Sequence, residues 1–581
     1  MTFESDIKLA RQKLQNGQHK HAFRAAKSAM KKSARSPFPL NFAGIALGGM
    51  GKHREAVALF KKALKLDPTF HDARKNLAQS LILLGEAHQA RSLLGKLVDQ
   101  TPNDADAWYL LAQASAKSGQ PESAEMAAGK SIEQAPNQAR AYNLRALVRG
   151  QMGQINEALE DYENALRLNP NDVDTLINIS LPLARQTRYD EAMKTVSRAV
   201  ELAPDHVGAR LRLAMQLVEA GESDKAIDQY HQVLKLVPKH PEAIEQLAQL
   251  QSQDQNCELE PLAKSALKTA PKKSGARVSL QFALARIAEQ AGHQAQADGF
   301  LDGANRDMAA TLPYDAKGDG ALSARLLARF ERPIPSDTQA TDGPVPVYVV
   351  GLPRSGTTLA EAILGAHTHV APLGERAASG ILLQTVIRDG LPFDAKAVQA
   401  FIAGDMKLLP EMPAETQAYV DKMPENYRLI GFLKTAYPQA RIINLRRDPR
   451  DIALSMWRGH FAGTALSYTY DLRAMAHRFN LYAAMLAHWH RVLPGAILDL
   501  RYEDMVGDVG ATSRVLAGFC GLDWQPGMAR PDLNAGQILT SSATQLRQPV
   551  HSRSVGKWHQ HETLLGPFSE HLDPELWPEI A

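Results

Sequence analysis

Cysteine is scarce in this chain, with Cys257 and Cys520 the only two among 581 residues. Because they are far apart in the sequence, they could pair only across distant segments, and a reducing compartment is the simpler interpretation. The first 15 residues carry charges throughout and have no apolar centre, unlike a secretory signal. No apolar run approaches the length of a membrane-spanning helix. We therefore expect a cytoplasmic protein that does not enter a membrane.

An excess of one charge is also missing. The chain has 66 Lys and Arg against 63 Asp and Glu, a net charge of +3. This balance argues against attraction to nucleic acid or to a membrane surface through bulk charge. A hydrophobic content of 44% is that of a globular protein, and the length is too great for one core. We expect several domains and no nucleic-acid partner.

The first half of the sequence has a period of 34 residues. Three residue types repeat at this step, with Thr187 in place of one glycine: Pro68 to Pro238, Gly51 to Gly221, and Ala56 to Ala226. Glycine suits a turn between two helices, alanine lets the helices approach closely, and proline follows the second helix because it cannot continue it. The period is typical of tetratricopeptide repeats, which stack into a superhelix with a concave groove. We predict such an array over residues 1–311.

The groove of a repeat array favours docking of a peptide or protein. Asn143, Asn178 and Arg210 are candidate groove residues, although polar residues on helix surfaces are commonly just solvated. The alternative roles of the array are homodimerisation or support of a second domain. Residues 312–344 are rich in Gly, Pro, Asp and Ala, so we predict a linker there.

A strand–turn–helix pattern opens the second half, at residues 345–359 (VPVYVVGLPRSGTTL). A turn between Gly351 and Gly356 directs backbone N–H groups and the positive end of a helix dipole at one place, which makes an anion site. The spacing differs from the nucleotide-binding loop G-x-x-x-x-G-K-[ST] because Thr357 replaces the lysine, which disfavours a nucleoside triphosphatase. The plainer alternative is a βα turn with no ligand.

The segment PRSGTTL resembles the 5′-phosphosulfate-binding loop of sulfotransferases that use 3′-phosphoadenosine 5′-phosphosulfate (PAPS) as donor. The tyrosylprotein sulfotransferases, and bacterial sulfotransferases preceded by tetratricopeptide repeats, are similar in this way. The resemblance implies a P-loop-like α/β domain with a central parallel sheet over residues 345–581, and so an α + α/β chain. It also implies that five residues bind the donor: Arg354, Ser355, Gly356, Thr357 and Thr358.

Two further positions match catalytic residues of that family. Glu375 follows Gly374 in a polar turn, where the tyrosylprotein sulfotransferases have their catalytic base. Lys422 precedes Pro424 by two residues, as does the family lysine that contacts the sulfuryl group and the leaving oxygen. The plainer alternatives are a solvated carboxylate or helix cap for Glu375 and a surface charge for Lys422.

Other matches concern the nucleotide part of the donor. Arg447 and Ser455 lie eight residues apart after a predicted strand and resemble the pair that holds the 3′-phosphate. Ser542 matches a family serine near the donor sulfate, and Lys557 resembles a lysine of the closing loop. The adjacent Arg446 is an alternative to Arg447.

Neighbouring residues are assigned plainer roles. Asp448 and Asp451 are predicted to cap the helix that follows the Arg447 turn. His488 and His490 have no third ligand at metal spacing, so no metal site is expected.

Together these matches predict transfer of a sulfuryl group from PAPS to a hydroxyl acceptor. Glu375 would deprotonate the acceptor, and Arg354, Lys422 and Ser542 would stabilise charge in the transition state without a metal. The acceptor is left open among protein tyrosine, a saccharide and a small molecule. The alternative functions are a catalytically inactive repeat protein that binds partners and, less favoured, a kinase-like P-loop enzyme.

Overall fold

The computed structural model describes residues 2–186, 188–331, 343–461, 463–533 and 549–580. Contacts divide the chain into two compact units, Met1–Thr195 and Val196–Ala581. The division falls inside the helical array, so the second unit contains helices of the array together with the sheet domain.

Antiparallel helices build the first unit. Its repeat alanines, among them Ala56, Ala90 and Ala124, are fully buried, which lets successive helices pack closely as the 34-residue period predicts. The tetratricopeptide-like array is therefore confirmed. The helices are α1 (Phe3–Gln15), α2 (His19–Lys32), α3 (Pro37–Gly49), α4 (His53–Leu66), α5 (His71–Leu83), α6 (Ala87–Gln100), α7 (Ala105–Lys117), α8 (Pro121–Gln134), α9 (Ala139–Gln151), α10 (Ile155–Leu168), α11 (Val173–Arg185) and α12 (Tyr189–Leu202), of which α12 crosses into the second unit.

Seven more helices precede the sheet: α13 (Val207–Ala220), α14 (Ser223–Leu236), α15 (Pro241–Leu250), α16 (Gln253–Thr269), α17 (Gly275–Gln290), α18 (Gln294–Thr311) and α19 (Ala316–Ala328). The last three share one hydrophobic core with the sheet domain, in which Phe282 and Leu301 belong to the same cluster as Phe432 and Trp489. A buried hydrogen bond of 2.9 Å from Asn305 Nδ2 to the carbonyl oxygen of Trp457 adds a polar link. The end of the array is therefore part of the same folded unit as the sheet.

The sheet has five parallel strands in the described residues, in the order β2-β3-β1-β4-β5. The strands are β1 (Val345–Gly351), β2 (Val370–Pro372), β3 (Ala418–Asp421), β4 (Arg441–Arg446) and β5 (Ile497–Arg501). Alternate residues of β1 enter two cores on opposite faces, with Tyr348 and Val350 in one and Val347 and Val349 in the other. A strand buried on both faces is apolar throughout, as this one is. The predicted α/β domain with a central parallel sheet is confirmed.

Helices cover both faces of the sheet: α20 (Thr357–Gly365), α21 (Ala378–Arg388), α22 (Ala395–Lys407), α23 (Ile430–Ala436), α24 (Pro449–Trp457), α25 (Leu472–Val492), α26 (Tyr502–Gly507), α27 (Val509–Cys520) and α28 (Glu562–Ser569). Short 3₁₀ helices include Pro424–Leu429 and Lys557–His561. In the part of the chain that the structure describes, none of the helices combines the length and apolar character needed to cross a bilayer.

The strand order determines where a ligand would bind. From the central β1, the chain adds β3 and β2 on one side and β4 and β5 on the other. In open parallel sheets ligands bind outside the carboxyl ends of the strands, at the point where the strand order reverses. That point is the carboxyl end of β1, between those of β3 and β4.

Candidate active site

The loop after β1 is tightly constrained. A Cβ atom on Gly356 would lie 2.4 Å from Cδ2 of Tyr502, and one on Gly351 would lie 2.8 Å from the carbonyl oxygen of Leu445. Both glycines and Arg354 have positive φ, with a value of 71° at Arg354. Positive φ costs a non-glycine residue about 1–3 kcal/mol and is concentrated at functional sites. The loop therefore holds a strained arginine directly before the N-terminus of α20.

This loop has the features of an anion site. The first turn of a helix leaves backbone N–H groups without partners inside the helix, and α20 begins at Thr357, with Thr358 next in its first turn. Ser355 is fully buried, and its Oγ has no hydrogen-bond partner among the described residues. A buried hydroxyl of this kind needs a partner. A bound phosphate or sulfate at the helix N-terminus would supply one.

Arg354, Ser455 and Arg447 lie together beside the loop. Arg354 Nε donates a hydrogen bond of 3.0 Å to Ser455 Oγ, and Arg447 Nη1 donates one of 3.1 Å to the carbonyl oxygen of Arg354. Burial, together with the nearby charge of Arg447, lowers the pKa of Arg354. The loop of β1 and the turn after β4 thus place two arginines and a hydroxyl at one point. A bound anion would relieve the repulsion between the arginines.

The two aspartates of the Arg447 turn have different roles. Asp448 caps α24 as predicted, because its side chain accepts a hydrogen bond of 2.9 Å from the Arg450 amide. The same prediction for Asp451 is wrong. Asp451 accepts hydrogen bonds from the amides of Gly556 and Trp558, at 2.7 and 3.0 Å. It attaches a C-terminal segment, rather than the helix end, to the site.

That C-terminal segment lies against the arginine cluster. The carbonyl oxygen of Ser554 accepts a hydrogen bond of 2.6 Å from Arg447 Nη2. The guanidinium of Arg450 lies 3.5 Å from the ring centroid of Trp558. Lys557, the predicted donor-binding lysine, begins a short 3₁₀ helix in this segment. The predicted Ser542 lies outside the described residues.

Glu375 and Lys422 form a second group. Lys422 Nζ donates a hydrogen bond of 2.6 Å to Glu375 Oε1; the lysine side chain is fully buried, whereas that of Glu375 is 45% exposed. The Lys422 amide also donates to the carbonyl oxygen of Gly374 at 2.9 Å. The turn after β2 and the end of β3 thus bring together the two side chains that sequence assigned as base and charge stabiliser.

Glu361, on α20, was missed by the sequence reasoning. Its Oε1 accepts a hydrogen bond of 2.7 Å from the Gly374 amide. Burial raises the pKa of Glu361 to about 6, against the opposing effect of the nearby Lys422. The sequence did contain a signal for Glu361, because its carboxylate lies between Ala360 and Ile363 on an otherwise apolar helix.

A further buried ionic cluster lies next to Glu375 and Lys422 in the chain. Arg376 Nη2 lies 2.8 Å from Asp405 Oδ1, and its Nη1 lies 3.7 Å from Asp421 Oδ2. Asp405 also accepts a hydrogen bond of 2.9 Å from the hydroxyl of Tyr437. Burial raises the pKa of Asp421 to about 7, although Arg376 opposes this.

The site is therefore built from the carboxyl ends of adjacent strands. The loop with the features of an anion site follows β1, Lys422 follows β3, and Arg447 follows β4, while Glu375 comes from the turn after β2. Such an arrangement can hold an anionic donor and provide a carboxylate base paired with a buried cation. Among the described residues, no group of three or more His, Cys, Asp or Glu side chains could hold a metal ion.

Comparisons with known proteins agree with this architecture. Residues 346–526 match a model described as "Sulfotransferase family". Residues 49–113, 85–148 and 183–250, and separately 139–172, match models of the tetratricopeptide repeat. One part of the chain thus matches models of the tetratricopeptide repeat, and another part matches a model of the sulfotransferase family.

Individual relatives cover parts of the chain. An uncharacterized protein of Aquifex aeolicus (strain VF5) is 28% identical over 326 residues, 52% of this chain and 43% of the relative. Cytosolic sulfotransferase 14 of Arabidopsis thaliana is 27% identical over 199 residues, 31% of this chain and 54% of that protein. A protein of Caenorhabditis briggsae named "Putative protein-tyrosine sulfotransferase" is 24% identical over 231 residues, 36% of this chain and 80% of that protein. The chain thus spans about half the length of the first two.

Proposed function

We propose that this protein transfers a sulfuryl group from PAPS to a hydroxyl acceptor. The observation that carries the proposal is the 2.6 Å contact between Lys422 and Glu375 beside the anion-binding loop of β1. A base is required because a hydroxyl is a weak nucleophile until its proton is removed. A cation beside it is required because charge develops on the leaving oxygen.

The residues around the loop suit the two ends of the donor. The buried hydroxyl of Ser355 and the first turn of α20, from Gly356 through Thr358, would hold the 5′-phosphosulfate with Arg354. Arg447 and Ser455 would hold the 3′-phosphate, since an arginine and a hydroxyl together provide directed donors to phosphate oxygens. Lys557 and Trp558 lie in the segment attached to Asp451 and would contact the nucleotide.

In the proposed reaction Glu375 accepts the proton of the acceptor hydroxyl while the hydroxyl oxygen forms a bond to sulfur. The bond between sulfur and the 5′-phosphate oxygen breaks, and adenosine 3′,5′-bisphosphate leaves. Lys422 and Arg354 stabilise the negative charge on the sulfuryl and leaving oxygens, the role that cations take in phosphoryl transfer. Ser542 is the third group that we assign to this role. With these groups the proposed mechanism uses no metal.

We propose that the acceptor is a hydroxyl compound, because a carboxylate base can remove the proton of a hydroxyl group. The name of the Caenorhabditis relative makes a protein tyrosine the first acceptor to test. A saccharide and a small phenol or alcohol are the other two.

We also propose that the repeat array recruits an acceptor or another protein in the cytoplasm. In the first unit a cavity of about 290 Å³ is lined by Tyr109, Arg140, Asn143 and Asn178 among others, and the two asparagines share a hydrogen bond of 3.2 Å. Arg210 is less available, because its guanidinium donates to the carbonyl oxygen of Pro204 and to Gln229. A homodimer through the array remains the alternative.

The proposed domain limits are 1–311 for the array, 312–344 for the linker and 345–581 for the transferase. Within the second unit, α17 to α19 share a core with the sheet, so the end of the array and the helix in the linker pack against the transferase.

Calorimetry and a transfer assay test the activity. We expect adenosine 3′,5′-bisphosphate to bind more tightly than ATP, and labelled sulfate from PAPS to appear on a tyrosine peptide or a simple phenol. Binding without transfer to any hydroxyl acceptor would support the inactive interaction protein. Tighter binding of ATP together with phosphate transfer would support a kinase instead.

The docking role is tested by replacing both Asn143 and Asn178 with Ala. Transfer to a macromolecular acceptor should weaken through a higher KM, while transfer to a small phenol stays unchanged. Asn164→Ala, on the other helix of the α9–α10 pair, is the matched control. An unchanged KM for the macromolecular acceptor would contradict recruitment by this groove.

A further inference from the structure

The turn that carries Glu375 is attached to the end of β3 by a continuation of the strand pairing. The β2–β3 ladder pairs Pro372 with Val420, and the Leu373 amide then donates to the carbonyl oxygen of Val420 at 2.9 Å. One step further, the Lys422 amide donates to the carbonyl oxygen of Gly374 at 2.9 Å. The backbone is therefore held in register up to the residue before Glu375.

Beyond that point only side chains connect the two segments. Successive residues of an extended chain alternate between the two faces of a sheet. Lys422 contacts Glu375 on the side of α20, where Glu361 holds the Gly374 amide. Asp421 contacts Arg376 on the opposite side, where α22 supplies Asp405. The turn is thus held from both faces of the sheet edge.

Stability alone is a poor reason for the Arg376 cluster. Taking charges out of water is costly, and a buried ion pair is commonly no more stable than apolar residues of the same volume. Here Asp421 is fully buried, yet its nearest contact to Arg376 is 3.7 Å, longer than a hydrogen bond. Arg376 instead provides fixed geometry, since its guanidinium binds Asp405 at 2.8 Å and lies 5.7 Å from the ring centroid of Tyr419.

We propose that Arg376, held by Asp405 and Asp421, is a positioning residue that fixes the Glu375 carboxylate against Lys422 and the acceptor. It touches neither donor nor acceptor, and acts through the backbone of the turn. This inference rests on the proposed function, because it assigns Glu375 as the base. Displacing a reacting group by about 1 Å can cost 10²-fold in rate, so a loosened turn would be measurable.

The test compares Arg376→Met with Arg478→Met in the full-length protein. Arg478 is a close match, because its side chain is also buried, contacts two carboxylates (Asp319 at 2.6 Å, and Glu425), and lies against two tyrosine rings. We expect Arg376→Met to lower kcat about 10- to 100-fold, with the affinity for adenosine 3′,5′-bisphosphate within twofold of wild type. Arg376→Lys, which keeps the charge, should recover part of the rate.

Hydrogen exchange provides a readout that needs no catalysis. In Arg376→Met, the peptides that contain Gly374 and Lys422 should exchange about tenfold faster than in wild type, while other peptides of the second unit do not change. Arg478→Met should leave these two peptides unchanged. If Arg376→Met fails to fold, Asp421→Asn keeps the shape of the side chain and should give a smaller, roughly three- to tenfold loss of kcat with the same local exchange.

The outcomes separate the two proposals. Equal kcat losses in Arg376→Met and Arg478→Met, or an unchanged exchange of the Glu375 turn in both Arg376→Met and Asp421→Asn, would overturn the positioning role. Faster local exchange in a protein whose wild type transfers no sulfuryl group would uphold the positioning of the turn and reject the proposed function.

Discussion

The two sides of the candidate active site differ in their balance of charge. On the β4 side, Arg354 and Arg447 lie together, and the hydroxyl of Ser455 contacts the first of them. On the β3 side, carboxyl groups outnumber cations: Glu361, Glu375, Asp405 and Asp421 face Lys422 and Arg376.

This difference indicates different tasks. Two partly buried arginines that lie close together repel each other until an anion binds between them, so the β4 side is suited to a ligand. On the β3 side, burial has raised the pKa values of Glu361 and Asp421 to about 6 and about 7. Burial therefore favours the protonated, neutral form of these two carboxyl groups and reduces the excess of negative charge without a ligand. We infer that the β4 side binds the donor and the β3 side performs the proton transfer, so substitutions should separate binding from turnover.

The largest difference between the effect on turnover and the effect on donor binding is expected for Glu375→Gln. Glutamine keeps the shape of the side chain and its contact to Lys422 but cannot accept a proton, so kcat should fall by about 10²–10⁴, the usual contribution of a general base. Binding of adenosine 3′,5′-bisphosphate, measured by calorimetry, should change little because the β4 side is intact.

A double variant checks this assignment. Lys422→Ala should also lower kcat, and the combined loss should be smaller than the product of the single losses, because both residues act on one transition state. Near-normal turnover of Glu375→Gln with a saturating acceptor would place the base elsewhere. His367 and His369, in the turn before β2, would be the next candidates.

The opposite pattern, in which binding of the nucleotide is lost, is expected for Arg447→Ala. Its removal should weaken binding of adenosine 3′,5′-bisphosphate by roughly 2–4 kcal/mol, the scale of a lost buried charge contact. Adenosine 5′-monophosphate, which lacks the 3′-phosphate, should lose far less. Arg446→Ala is the matched control, because this neighbouring arginine is 42% exposed and pairs with Glu579. Equal losses for the two nucleotides would reject the 3′-phosphate assignment.

Sequence predicted the elements whose signals are local. The repeat array follows from a fixed period, and the loop from Gly351 to Gly356 follows from a strand, glycines and a helix in immediate succession. Arg447 and Ser455 lie in one turn and the helix after it, so their joint assignment to the 3′-phosphate could be proposed from sequence, and it stays a prediction. In each case the residues that carry the signal are within about one element of each other.

Contacts between distant segments were not predictable in this way. Glu361 reaches Gly374, Arg376 reaches Asp405, and Asp451 reaches the amide of Trp558, 107 residues later. These pairs have no periodicity, and a carboxylate near a helix start is equally suited to a cap, which is why Asp451 was assigned wrongly. The shared core of α17 to α19 with the sheet was likewise invisible, since apolar helix faces do not specify their partners.

A smaller effect on binding is expected for Gly356→Ala. The new Cβ would lie 2.4 Å from the Tyr502 ring at a φ of 105°. The loop must therefore shift, and affinity for adenosine 3′,5′-bisphosphate should fall by about 1–2 kcal/mol, roughly 5- to 30-fold. Gly521→Ala has similar backbone strain, with a φ of 72° and open space at the Cβ position. It controls for lost stability, and an equal loss of affinity in both variants would contradict a specific role of the loop.

The smallest effect concerns the pH dependence of stability on the β3 side. Because burial raises the pKa of Asp421 from 3.8 to about 7, the folded state holds a proton that the unfolded state has released. The contribution of this group to stability is therefore complete below pH 4 and is lost as the pH rises towards 7. Asp421→Asn has no such proton to lose, so its stability relative to wild type should rise between pH 5 and pH 7.

The measurement is the thermal midpoint of the second unit, followed by tryptophan fluorescence, because five of the six tryptophans lie in that unit. A change of about 1 kcal/mol corresponds to about 1–2 °C for a unit of this size. The midpoint of Asp421→Asn relative to wild type should increase by about that amount for each pH unit, and by no more.

Asp532→Asn is the control of opposite sign, because the hydrogen bond from Arg530 lowers the pKa of Asp532. The stabilisation by Asp532 is complete above pH 4, so its midpoint difference should stay constant over the same range. A constant difference for Asp421→Asn as well would show that Asp421 is ionised throughout, and that a proton on Asp421 does not reduce the carboxyl excess on the β3 side.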